Sequence, residues 1–79
     1  MGMGKRYGLV SIHADTIDEY MIQNTESMGA RYIIERLYDN FKRSPPSRRQ
    51  VGIYLKLNPN YQLVENSTHG RLYLYSSAR

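Results

Sequence analysis

The sequence predicts an α+β domain of three helices closed by a C-terminal β-hairpin. Three observations carry that expectation. Residues 27–43 hold an apolar stripe at helical spacing; Ser44, Pro45 and Pro46 are followed by a Ser47-x-x-Gln50 capping box; and from Tyr61 onward the apolar period drops from about 3.6 to about 2. At 79 residues the chain forms one domain, 1–79. A domain of this size buries only about 60% of its unfolded surface. Without cysteine it has neither a disulfide framework nor a Cys-type zinc site to reinforce it, so dimerisation is the expected way to bury more area.

The opening residues 1–6, with alternating Met and Gly, read as a disordered or added lead and are set outside the fold. Residues 7–13 are rich enough in β-branched side chains for a short strand, although the same residues suit an irregular lead into a helix. Thr16 and Glu19 have capping-box spacing, and Ile17, Tyr20 and Met21 follow at i, i+3, i+4, which predicts a first helix over 16–24. The strongest signal comes next. Ala30, Ile33, Ile34, Leu37, Tyr38 and Phe41 form one stripe, with Arg31 and Glu35, and Asp39 and Arg43, paired at i, i+4 on the other side. One helix over 27–43 is the expectation. The two prolines end it, because a residue before proline is driven out of α geometry. Ser47 opens a third helix over 48–57, and Asn58 and Pro59 close it. Residues 61–65 and 71–76 alternate as strands around a turn at 66–70, where Gly70 supplies positive φ. The last residues, 77–79, read as a frayed tail.

Charge is sorted along the chain. Between residues 14 and 39 six acids, Asp15, Asp18, Glu19, Glu26, Glu35 and Asp39, face two arginines, Arg31 and Arg36. From residue 40 onward Lys42, Arg43, Arg48, Arg49, Lys56, Arg71 and Arg79 face Glu65 alone. With Lys5 and Arg6 the whole chain carries +4. A basic end of this kind attracts polyanions and steers their approach. On a helical wheel of 48–57, Val51, Ile53, Tyr54, Leu55 and Leu57 fill an apolar arc, and Arg48, Arg49, Gly52 and Lys56 share the rest. Arginine at a helix start suits bidentate contact with guanine or phosphate, lysine suits phosphate, and a glycine between them lets the helix approach a groove wall. Lys42, Arg43 and Arg71 extend the same basic region. The ordinary alternative is a solvated helix face.

This order of elements resembles the winged helix-turn-helix family of DNA-binding domains over residues 15–76. The resemblance rests on the helix order, the turn at 44–47, the basic start of the last helix and the wing-like 66–70 loop. It implies a last helix in the major groove and a wing on the backbone or minor groove. The implied recognition face is Arg48, Arg49, Gly52 and Lys56, and the implied wing contacts are Ser67, Thr68, His69 and Arg71; Lys42, Arg43 and Ser47 beside them complete the expected DNA-binding set. The partner implied is duplex DNA, bound by a homodimeric cytoplasmic transcription regulator. A strand at 7–12 would be the third strand of the family's small sheet, although in the family that strand lies between the first two helices. Two other classes stay open. A winged helix can serve as a protein–protein module, and exposed Tyr54, Tyr73 or Tyr75 beside basic residues could stack on unpaired RNA or DNA bases; the alternative for each tyrosine is packing. Tyr20, Met21 and Met28 are either a dimer contact or core.

Other functions find no pattern. His13 and His69 lack metal-ligand spacing, so no metal or cofactor is expected. No phosphate loop or nucleophile elbow is present, and paired acids on helix surfaces are ordinary solvated charge, so the chain is not read as an enzyme and no small-molecule ligand is expected. No apolar run is long enough for a membrane helix.

Overall fold

The computed structural model describes residues 4–24, 26–41, 45–67 and 70–76. They form three helices and two antiparallel hairpins. The first hairpin comes from residues set aside as a lead. β1 (Lys5–Arg6) pairs with β2 (Leu9–Val10), Arg6 opposite Leu9. Tyr7 and Gly8 turn the chain at φ 51° and 85°. A two-residue hairpin turn with positive φ at both positions matches the twist of its strands. Gly8 adopts this freely, whereas Tyr7 does so at a cost of about 1–2 kcal/mol; its ring lies 6.2 Å from that of Tyr54. The 7–13 segment is therefore not one strand, and residues 5 and 6 belong to the domain. Leu9, 1% exposed, is core.

α1 (Ser11–Gln23) starts well before Thr16. The hairpin supplies its cap: the Gly4 carbonyl accepts from both the amide and the hydroxyl of Ser11, each at 3.0 Å. Thr16 lies inside the helix and its hydroxyl donates back to the Ile12 carbonyl at 3.0 Å, so Thr16 and Glu19 are not a capping box. Ala14, Ile17 and Met21 are fully buried.

The single helix expected over 27–43 does not form. Met28 is drawn into an isolated antiparallel bridge with Tyr73, each amide donating to the other's carbonyl at 2.8 Å. Gly29 permits this approach, since a Cβ there would lie 3.1 Å from the Arg71 carbonyl oxygen. α2 therefore runs only over Ala30–Arg36. Leu37 leaves helical geometry (φ −106°, ψ 14°), and Tyr38–Asn40 form one 3₁₀ turn. Asp39 and Asn40 favour that break because their side chains compete for backbone groups. The stripe still marks inside positions: Ile33, Leu37 and Phe41 are buried, while Tyr38 is exposed. Met21 and Met28 are buried too, which assigns them to the core rather than to a dimer contact. Residues 77–79 lie outside the described residues.

α3 (Arg48–Leu57) has the boundaries its capping box predicts. The Ser47 hydroxyl accepts from the Gln50 amide and the Ser47 amide donates to Gln50 Oε1, both at 3.1 Å. Asn58 ends the helix and starts the next element. Its amide donates to the Tyr54 carbonyl, its Oδ1 accepts from the Asn60 amide at 2.9 Å, and its carbonyl accepts from Tyr61. β3 (Tyr61–Ser67) and β4 (Gly70–Tyr75) pair from Tyr61 opposite Tyr75 to Ser67 opposite Gly70, with a bulge between Leu63 and Glu65. Pairing thus runs further toward the tip than a 66–70 loop allows.

The two hairpins remain separate sheets, so residues 7–12 do not extend the C-terminal one. Met28, between α1 and α2, makes that contact instead. One carboxylate ties the layers together: Asp18 Oδ1 on α1 accepts from the hydroxyls of Tyr54 on α3 at 2.6 Å and Tyr61 on β3 at 2.7 Å. Arg6 bonds Asp15 and stands 3.8 Å from the other Asp18 oxygen. Burial first, and then the hydrogen bond to Asp18, raise both tyrosine pKa values above the ordinary 10.0.

Candidate nucleic-acid interface

Three elements build a groove beside α3. The capping box fixes where the helix starts, and so sets Arg48 and Arg49 on its first turn. Val51, Tyr54 and Leu55 are buried. Their burial leaves Arg49, Gly52, Ile53 and Lys56 at i, i+3, i+4, i+7 on one outward stripe. The Met28–Tyr73 bridge brings the start of α2 and the length of β4 alongside. The result is an open groove of about 630 Å³, lined by Gly29, Ala30 and Arg31 of the α2 end, Arg48, Arg49, Gly52, Ile53 and Lys56 of α3, and Gly70, Arg71, Leu72 and Tyr73 of β4.

Its charge is of one sign. Arg31, Arg48, Arg49, Lys56 and Arg71 line it, and among the described residues no carboxylate does. Among the described residues only Arg31 of these five has an ion-pair partner, Glu35 at 3.2 Å. That pair is exposed on both sides and contributes little. The other four face solvent with no ion-pair partner among the described residues, an arrangement that a polyanion relieves and a neutral ligand does not. A second, separate groove of about 440 Å³ between α1 and the 3₁₀ turn has the opposite character, with Glu19 and Asp39 in its lining and no cation among the described residues.

Of the residues read from the sequence, Arg48, Arg49, Gly52, Lys56 and Arg71 come together here. Ser47 does not line the groove, because its hydroxyl is committed to the cap. Ser67 sits at the last pair of the ladder. Lys42, Arg43, Thr68 and His69 lie outside the described residues. Two contributors were missed. Arg31 was hidden in the acidic half of the chain and in an i, i+4 pair, and its place in the lining joins the α2 end to the basic surface. Ile53 was placed in the apolar arc.

Tyrosine stacking finds little to work with. Tyr54 is fully buried and Tyr73 is 6% exposed. Tyr75 packs edge-on to Tyr61, their centroids 5.2 Å apart. His13 packs edge-on to Phe41 at 5.1 Å. Among the described residues no three His, Cys, Asp or Glu cluster to hold a metal, and no helix is long and apolar enough to cross a membrane.

By fold and site the chain is a small α+β domain carrying a cationic groove on its last helix. Compared with known proteins, it matches no family model, no curated protein and no solved structure.

Proposed function

We propose that this is a duplex-DNA-binding domain of winged-helix type, acting in transcriptional regulation, with α3 in the major groove and the β3–β4 hairpin as the wing. The observation that carries this reading is the convergence of five cations from α2, α3 and β4 on one groove with no carboxylate among its described lining residues. The bridge from Met28 to Tyr73 supports it as well. In winged helices the third strand lies between the first two helices, and here the residue that pairs with β4 lies between α1 and α2.

Salt dependence tests it. If the four groove cations other than Arg49 meet phosphate, log Kd changes with log salt at a slope of about 3.6, so affinity falls roughly 150-fold from 50 to 200 mM. Lys56→Ala should weaken all sequences alike and lower the slope by about 1, whereas Arg49→Ala should cost about 1–3 kcal/mol on the preferred sequence and relax its choice. Equal, negligible effects would place the wrong helix in the groove. Absence of affinity for any nucleic acid at low salt would leave a protein–protein module, and preference for single strands would favour the RNA or single-stranded class.

A further inference from the structure

Resting on the duplex-DNA reading, we infer that Ile53 contacts the C5-methyl group of a thymine within two base pairs of the one read by Arg49. Ile53 is 39% exposed, although it lies on the central turns of a helix whose other central apolar residues, Val51, Tyr54 and Leu55, are buried. It lines the basic groove, one turn beyond Arg49 and one turn before Lys56. An aliphatic side chain between two groups that grip polyanions needs an apolar feature on the polyanion itself. In the major groove thymine alone presents one, its methyl group. Phosphate oxygens present none.

The neighbouring position sharpens the geometry. Gly52 has no Cβ, and the space where one would sit is empty to 4 Å. The helix backbone can therefore come close to the base edges there, and Ile53 becomes the first carbon surface they meet. Four residues of helix advance about 6 Å. Stacked base pairs advance about 3.4 Å each. The thymine therefore lies one or two pairs from the guanine that Arg49 contacts.

Deoxyuridine is the direct probe, because it removes the methyl and nothing else. The full chain is used to select a preferred duplex from a randomised pool, and that duplex is remade with deoxyuridine in place of each thymine in turn. One replacement, within two base pairs of the position that becomes permissive in Arg49→Ala, should weaken binding about four-fold, the worth of one buried methyl. Ile53→Ala should bind the thymine duplex with a similar loss and no longer distinguish it from the uracil form, and Ile53→Val should keep part of the discrimination. Equal affinity for every uracil duplex overturns the inference, as does an Ile53→Ala protein that still prefers thymine. Both leave DNA binding itself intact. A chain that binds neither form at low salt has lost the parent reading, and this one with it. The uracil series uses the unmodified protein, so it stands even if a variant at Ile53 fails to fold.

Discussion

Replacing Gly52 with Ala should make the protein more stable and, on the proposed duplex-DNA reading, a worse DNA binder. Gly52 sits inside α3, where glycine costs about 0.8–1.0 kcal/mol relative to alanine. The usual objection, a clash of the new methyl, does not arise, because nothing lies within 4 Å of its position. The full propensity gain should therefore appear. For 79 residues the unfolding entropy near the midpoint is about 170 cal/mol/K, so the gain corresponds to a Tm higher by about 5–6 °C. The same methyl enters the groove between Arg49 and Lys56. If the helix there packs against base edges, the overpacking should cost about 1–3 kcal/mol of binding, or roughly 5- to 150-fold in Kd. Thermal unfolding followed by circular dichroism and a fluorescence anisotropy titration against duplex DNA read the two effects separately. An unchanged or lower Tm would refute the account of α3 as an unstrained helix at this position. A raised Tm with undiminished affinity would show that DNA does not approach this face.

Two further predictions concern the Asp18 node. Asp18→Ala leaves the hydroxyls of Tyr54 and Tyr61 without their acceptor, at about 1–3 kcal/mol each, so denaturant unfolding should register a loss of about 2–6 kcal/mol; Asp18→Asn, which retains an acceptor oxygen, should lose less, and an unchanged midpoint for the alanine variant would show that the node does not stabilise the fold. Stability should also decline in alkali. Both tyrosines have a folded-state pKa above the unfolded value of 10.0, so their contribution is fully present below pH 10 and is lost as pH rises beyond it, when the unfolded chain releases protons that the folded one retains. The fall should reach up to roughly 3 kcal/mol per pH unit, and a denaturation midpoint flat from pH ~9 to ~11 would contradict it.

What could be read in advance divides along a physical line. α3 was legible to the residue, because Ser47, Gln50, Asn58 and Pro59 fix its ends by local chemistry. The hairpin was legible from its period. Ile33, Leu37 and Phe41 were correctly placed inside, yet the helix expected to carry them breaks at both ends: a strand in another part of the chain claims Met28, and Asp39 and Asn40 favour a tighter turn. The first hairpin was illegible because Lys5 and Arg6 look like a solvated lead until Asp15 and Asp18 are seen beside Arg6. The groove followed the same rule. Arg48, Arg49 and Lys56, close in sequence, were expected to share a face and do so, whereas Arg31 is brought in only by long-range pairing.

The entry hairpin has a practical consequence for anyone handling this molecule. The winged-helix resemblance begins at residue 15, and a fragment trimmed to that point would be the natural minimal version. Such a fragment would discard the carbonyl of Gly4 that seats the first helix, the wedge of Leu9 beneath it and the guanidinium of Arg6 that flanks the carboxylates of Asp15 and Asp18. Trimming there removes a keystone rather than a ragged end.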